Sequence, residues 1–318
     1  MSIVTGKTQK LFLQKNQLYL YCNLQQMKKW LFITGLFISS HLTAQSFDWW
    51  KNNVNWDGTT YWWKYLITSP KFFGPNAFTV PAINNGSIDS LTSLAATANF
   101  HFSKGDKTQN IMLYGNLTSK RNTISVDAQF VPYEKFTVTH EKKTERRVYY
   151  KNYYDKTTVG DVIVNTNIQL FEKWRPHVQL ALRVGVRMPS GGGQGSARYA
   201  DVPGYWIDLG GAIPFNNPEW KWTGMLGFLV WQTNDDDLRQ DDSFLFGSGI
   251  EWNHNGFRLQ CYGAGYIGYK NNGDKPVVLR VNLEKKKNRN VYLFRLQQGV
   301  NDFSYFTVET GYRYIFSK

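Results

Sequence analysis

The chain has 318 residues, 37 Lys+Arg against 24 Asp+Glu, a formal net charge of +13, and 16 % aromatic residues. So aromatic a composition excludes a disordered chain, and only two cysteines exclude a disulfide scaffold. Beyond the first 45 residues no uncharged apolar run approaches the ~18 residues that a membrane helix needs, so a helical membrane protein is excluded too.

At the N-terminus, Met27-Lys28-Lys29 opens a basic stretch, residues 30–38 form an apolar run, and small and polar residues follow down to Ala44. That order is a secretory signal over 27–44 with cleavage after Ala44, and residues 1–26 read as an upstream extension. Removing 1–44 takes away five lysines and no acid, which lowers the net charge to +8, and it takes Cys22 and leaves Cys261 alone. A nucleic-acid partner is not needed to explain the remaining basicity, and none is expected.

Residues 45–91 follow no period. Trp49, Trp50, Trp56, Trp62 and Trp63 alternate with Asn, Lys and Gly, and a turn-rich stretch over 69–86 follows. Two readings stand open: a plug at the periplasmic mouth of a pore, or a tryptophan belt at the membrane surface.

From residue 92 the period is two. In 177–188, Val178, Leu180, Leu182, Val184, Val186 and Met188 share one face; His177, Gln179, Arg183 and Arg187 share the other. Similar segments lie at 92–104, 109–118, 122–131, 161–170, 203–215, 219–233, 243–252, 256–269, 276–285, 290–299 and 306–316. Segment 219–233 is ambiguous, because Trp220, Trp222, Leu226 and Phe228 oppose Met225, Leu229 and Trp231. The segments number twelve and are mostly too long for soluble strands, which run about 5–6 residues; a tilted membrane strand needs about 9–11.

Tight turns at 119–121, 172–175, 216–218, 253–255 and 286–289 alternate with connections at 105–108, 132–158, 189–202, 234–242, 270–275 and 300–302. Short turns at one end and longer loops at the other are the outer-membrane arrangement. Aromatic residues gather at segment ends (Tyr205, Phe215, Trp252, Phe257, Tyr292, Tyr312), as interfacial girdles do. The expected fold is therefore all-β: a single transmembrane antiparallel barrel of about 12 strands over 92–318, preceded by an irregular Trp-rich segment. An even strand count places both ends of the mature chain on the periplasmic side. The partners expected are outer-membrane lipid and lipopolysaccharide. The aromatic strand ending at Phe316, two residues before Lys318, resembles the signal read by the barrel-assembly machinery.

Gly160-Asp161-Val162, Gln169-Leu170 and the run from Leu182 to Gly191 (LRVGVRMPSG) resemble the central hairpin of outer-membrane proteins of the phenol meta-cleavage pathway type. That group is itself similar to uptake barrels for long-chain fatty acids and aromatic hydrocarbons. Phe73-Gly74-Pro75-Asn76 and the run from Arg198 to Tyr205 (RYADVPGY) look like segments of Bacteroidetes outer-membrane proteins. The resemblance implies a barrel that passes small hydrophobic molecules, although kinship of fold does not set a substrate.

The inward face of the twelve segments carries Asp127, Asp161, Arg183, Arg187, Asp208, Glu251, Arg258, Arg280, Glu284, Arg295, Glu309 and Arg313. Six arginines and six acids suggest ion pairs interlocked across the lumen. They either fill and stiffen a narrow barrel or form a polar constriction that selects solutes.

Weaker signals remain. His101-Phe102-Ser103 has the spacing of a barrel-borne lipid hydrolase, with Asn116 available to orient the histidine, but Phe100 and Phe102 turn both polar side chains inward. No metal-ligand spacing and no cofactor motif is found, and Gly191-Gly192-Gly193 reads as a flexible loop rather than a phosphate loop. Asp235-Asp236-Asp237 with Asp241-Asp242 reads as a solvated loop or a gatherer of divalent cations. Lys142, Lys143, Arg146 and Arg147, beside Tyr149, Tyr150, Tyr153 and Tyr154, suit a phosphorylated glycolipid or an extracellular partner, or else an extension of the barrel wall. The function expected is passive uptake of a small hydrophobic or aromatic solute, without catalysis; a closed structural or adhesion barrel is the alternative.

Overall fold

The computed structural model describes residues 48–149, 155–174, 178–233 and 235–316. The signal segment, the upstream extension, Tyr150, Tyr153, Tyr154, Arg175, Ser317 and Lys318 lie outside the described residues. Twelve antiparallel strands close into a barrel. They are β1 (Ser93–Ser103), β2 (Asp106–Thr118), β3 (Ile124–Val138), β5 (Val162–Trp174), β6 (Val178–Met188), β7 (Gly204–Pro214), β8 (Trp220–Gln232), β9 (Gln240–His254), β10 (Phe257–Ile267), β11 (Val277–Lys287), β12 (Asn290–Asn301) and β13 (Phe306–Ile315). Closure is made by β1 and β13, which pair from Ser93↔Ile315 to Phe102↔Phe306.

A thirteenth strand, β4 (Asp155–Thr158), pairs with the upper part of β3. It is the in-register continuation of β5, since Glu134 faces Thr158 and, four residues down β3, Phe130 faces Val162. The bend between β4 and β5 spans 159–161, and Asp161 turns inward there.

The sidedness is inverted relative to a soluble protein. Leu94, Ile111, Leu113, Ile207, Leu226, Phe244 and Leu279 point outward and are exposed, while Thr97, Asn99, Asn110, Asp127 and Glu309 are buried on the inside. An apolar outer band around a polar lumen is the transmembrane-barrel pattern. The two-residue turn between β9 and β10 is Asn255-Gly256 with φ of 47° and 75°; both positions need a left-handed backbone, and Asn-Gly supplies it at little cost. At the other end, the first connection shrinks to residues 104–105, because β2 begins at Asp106 rather than near 109.

Residues 48–91 run from the long-loop end into the interior of the barrel. Helix α1 (Asp48–Val54) and a 3-10 turn (Trp62–Tyr65) lie at the long-loop end, where Trp50 Nε1 donates to Arg147 O at 3.0 Å and Trp62 stacks on Tyr149. From Phe73 the chain descends through the lumen. It leaves at the short-turn end, where Ile88 N donates to Gln169 Oε1 at 3.0 Å, and then enters β1. Asp48 therefore lies at the end opposite Ser93 and Ile315, where both ends of the mature chain were expected together.

This path explains the ambiguity of β8. Trp222, Leu226 and Phe228 face outward, while Met225, Leu229 and Trp231 are 2 % exposed or less and pack inward with Phe73, Phe78 and Val80 of the threaded segment. Both faces are apolar because one meets lipid-type surroundings and the other an internal core.

Candidate functional site

The predicted inward charges all lie on the inside, but their partners differ from the expectation of pairs across the lumen. Most ion pairs run along the wall between neighbouring strands: Arg183–Asp208 at 2.7 Å, Arg258–Glu251 at 2.9 Å and Arg295–Glu309 at 3.1 Å. Antiparallel register causes this, since Arg183 and Asp208, and Arg295 and Glu309, are direct cross-strand partners. Arg187 Nε donates to Asp161 at 2.7 Å, and its other nitrogens donate to Val202 O and Ala200 O. Arg313 bridges Glu284 at 2.9 Å and Asp89 at 3.0 Å. Among the described residues Asp127 pairs with no arginine, and it accepts from Asn165 and Asn167, each at 2.8 Å.

What crosses the lumen is the threaded chain, and wall side chains grip it residue by residue. Arg280 donates to Val80 O at 2.7 Å and Pro81 O at 3.2 Å, and Arg183 donates to Ala82 O at 2.9 Å. Asn84 Nδ2 donates to Asp208 at 2.9 Å, Asn85 Nδ2 to Glu251 at 3.0 Å, and Gln169 Nε2 to Gly86 O at 2.8 Å. An extended chain inside a barrel has no ladder of its own, and buried backbone groups must be paired. Arg280, Arg183 and Gln169 supply those partners to the backbone, while Asp208 and Glu251 hold the side chains of Asn84 and Asn85. Gly210 lets the chain pass close to the wall: a Cβ there would lie 2.1 Å from Asn84 O.

The long-loop end is closed by a cluster that the sequence reading missed. Arg198, in the connection after β6, donates to Asp106 at 2.7 Å, to Glu134 at 2.8 Å and to Thr108 at 2.7 Å, and its guanidinium lies 4.4 Å from the Phe136 ring. Arg146 reaches Asp106 at 2.6 Å and Tyr305 at 2.6 Å. Asn76 of the threaded segment donates to Glu134 at 2.7 Å, as does Tyr199 at 2.8 Å. Two guanidinium groups meet two carboxylates, all at most 1 % exposed. Arg198 and Phe73-Gly74-Pro75-Asn76 belong to the two motifs that carried the Bacteroidetes resemblance, and they touch each other: a Cβ at Gly74 would lie 2.9 Å from both Arg198 O and Arg198 Cζ.

Several readings are corrected by this cluster. Residues 140–145 form helix α2 (His140–Glu145), capped by Thr139, and among the described residues of the run 140–156 the wall is extended only where β4 begins at Asp155; Lys142, Lys143 and Arg146 are buried, and Arg147 is exposed. The Gly191–193 stretch folds inward onto a 3-10 turn (Gln194–Ser196) instead of forming a free loop. His101 bonds Thr307 at 2.8 Å and Asn110 at 3.0 Å, Ser103 bonds Ser304, and Asn116 sits at the far end of its strand opposite Ser93. The histidine and serine are thus not joined.

Burial raises the Tyr199 hydroxyl above its ordinary value, with Glu134 adding to the effect, and burial also raises Tyr305. A raised pKa stabilises the fold fully below the unfolded value of about 10, and that stabilisation is lost as pH rises beyond it. Tyrosinate absorbance is expected to show a late-titrating group above pH ~10, coincident with loosening of the long-loop end; Tyr199→Phe should remove part of it.

Between the threaded segment and β1–β3 and β11–β13 lies a cavity of about 360 Å³, whose lining mixes apolar side chains (Val80, Met112, Trp206, Phe303), neutral polar ones (Asn99, Gln129, Asn165, Gln297) and charged ones (Asp127, Arg183, Arg280, Arg295, Glu309). A wider vestibule of about 710 Å³ occupies the short-turn mouth. The two share Tyr114, Glu284 and Arg313 in their walls.

No family model and no curated protein sequence matches the chain. Among solved structures, it is similar to an outer membrane channel from Pseudomonas putida F1, with a TM-score of 0.56 and 10 % identity over 75 % of this chain and 100 % of that one. The CymD monoaromatic hydrocarbon channel (TM-score 0.40, 8 % identity, 77 % of this chain and 98 % of that one) and the KdgM porin in complex with disordered oligogalacturonate (0.43, 9 %, 70 % and 99 %) match less well. At such identities the likeness is one of fold.

Proposed function

We propose that this chain is a passive outer-membrane channel for small hydrophobic or aromatic solutes, with its long loops extracellular and its short turns periplasmic. The observation that carries this reading is the half-filled lumen. The threaded segment packs against β6–β11 and leaves an amphipathic cavity beside it, adjoining the periplasmic vestibule. Ligand sites run to about 300–1,000 Å³, and an apolar pocket of ~150 Å³ holds benzene, so the cavity is large enough for a monocyclic solute, and its charged wall favours one that carries a polar group. The Arg198 cluster closes the outer end, and entry requires that it part. The similar fold of a Pseudomonas putida outer membrane channel and the hairpin resemblance at Asp161 and 182–191 support a kinship with hydrophobic-compound uptake barrels; we extend this to the Bacteroidetes type on the strength of Phe73–Asn76 and 198–205.

The test is conductance in a planar bilayer, with the mature protein set beside a variant lacking residues 48–86. Small or rare steps from the mature protein and large ones from the deletion are expected. Silence from both, with circular dichroism confirming a folded barrel, would reject transport in favour of a closed structural barrel.

A further inference from the structure

On the inward face of the wall, Arg280 of β11 and Arg295 of β12 stand two register positions apart, since Arg280 pairs with Gln297 and Asn282 pairs with Arg295. Between them they have one carboxylate. Arg295 Nη1 donates to Glu309 and Nε to Asn282, each at 3.1 Å, which leaves Nη2 without a hydrogen-bond partner among the described residues. The Arg295 side chain is 33 % exposed although it points inward with Asn282 and Glu309, so its exposed part faces the cavity that it lines. Arg280 is buried and has no carboxylate partner among the described residues; Nε donates to Gln297, and the other two nitrogens hold the Val80 and Pro81 carbonyls. The other carboxylates in the cavity wall are engaged elsewhere, Asp127 by Asn165 and Asn167, and Glu284 by Arg313. This stretch of wall therefore sets two cations against one acid. A guanidinium withdrawn from water without a counter-ion is costly, and an unused guanidinium nitrogen is a ready donor to a carboxylate.

We propose that the solute of this cavity is a monocyclic carboxylate, its charged end on Arg295 Nη2 and its ring against the apolar lining of Val80, Met112, Trp206 and Phe303. The inference rests on the transport reading above and names the polar group of its solute. Arg280 adds positive charge while its donors hold the threaded chain. Glu309 acts in two opposed ways: it orients the Arg295 guanidinium, and its own charge repels the carboxylate that docks there. That opposition separates recognition from scaffolding. If Arg295 and Glu309 only brace the wall, removing either weakens the same structure; if Arg295 receives a carboxylate, removing Glu309 frees a second nitrogen for it and strengthens binding.

Isothermal titration of the full chain in detergent tests this with three probes: benzoate, benzyl alcohol (the ring without the charge) and acetate (the charge without the ring). Saturable benzoate binding is expected, with the other two each about tenfold weaker or more, because a charged hydrogen bond and a buried ring each contribute at least about that factor. Arg295→Gln should weaken benzoate about tenfold and leave benzyl alcohol unmoved. Arg295→Lys should restore part of the loss, since it returns the charge without the fork, and Glu309→Gln should tighten benzoate. Benzyl alcohol binding as tightly as benzoate overturns the carboxylate assignment and leaves the transport reading standing. Weaker benzoate binding in both Arg295→Gln and Glu309→Gln overturns it as well, because the pair is then a brace. Binding of none of the three overturns the inference together with the cavity as a solute site.

Discussion

Arg198→Ala is expected to destabilise the protein by about 3–5 kcal/mol, the cost of breaking a buried ion pair and leaving its partner uncompensated. Arg198 is fully buried, and its loss leaves Asp106 with Arg146 as its one cation beside the neutral donors Tyr305 and Thr108, and Glu134 with only the neutral donors Asn76 and Tyr199. Removing the side chain also empties the space over the Phe136 ring. Arg198→Lys restores the charge without the fork that reaches Asp106, Glu134 and Thr108 together, so it should recover only part of the loss. Urea titration followed by Trp fluorescence measures the first effect, and single-channel recording the second: open time should rise as the outer seal loosens. Stability within ~0.5 kcal/mol of the unmodified protein, the range of an ordinary surface change, would mean that the cluster does not close the barrel.

Gly210→Val should push the threaded segment off the wall, because even its Cβ would overlap Asn84 O, a backbone atom that cannot swing aside. Overpacking together with the loss of the Asn84 bonds to Asp208 and Ala181 O costs on the order of 3 kcal/mol. The neighbouring Gly211→Ala is the control. Its Cβ would meet Gln179 O at 3.6 Å and Leu180 at 3.8 Å, both ordinary contacts, and it should leave stability and conductance unchanged. Conductance should increase in Gly210→Val alone. Equal behaviour of the two variants would show that the segment does not set the pore.

Strand positions were legible because one face of each strand meets an apolar exterior and the other a polar lumen, so a period of two survives along almost the whole wall. Where that contrast fails, so did the reading. β8 is apolar on both sides because Met225, Leu229 and Trp231 face the threaded segment. The period of two breaks in the upper half of β3 because a register shift opposite Ile111–Leu113 changes which residues face inward, from Ser125 and Asp127 to Glu134, Phe136 and Val138. The wall charges were legible as inward, but their role was not, since nothing in Arg280 or Arg183 announces that it will bind Val80 O and Ala82 O instead of a solute. Arg146 and Arg198 sit in irregular connections, where no periodicity marks a buried side; motif resemblance around Phe73 and Arg198 was the one available signal.

The lumen filling also governs how the molecule is built. A chain that traverses its own barrel must be inside before β1 meets β13, or else its aromatic head, with Trp50 and Trp62 folded against the loops, must be pulled through a closed ring. The first route demands that the N-terminal segment be seated on β6–β11 while the β1–β13 seam is still open, so the last pairing to form locks the earlier one. Release then requires that seam to part, which makes retention of the segment a matter of unfolding rate rather than of binding equilibrium.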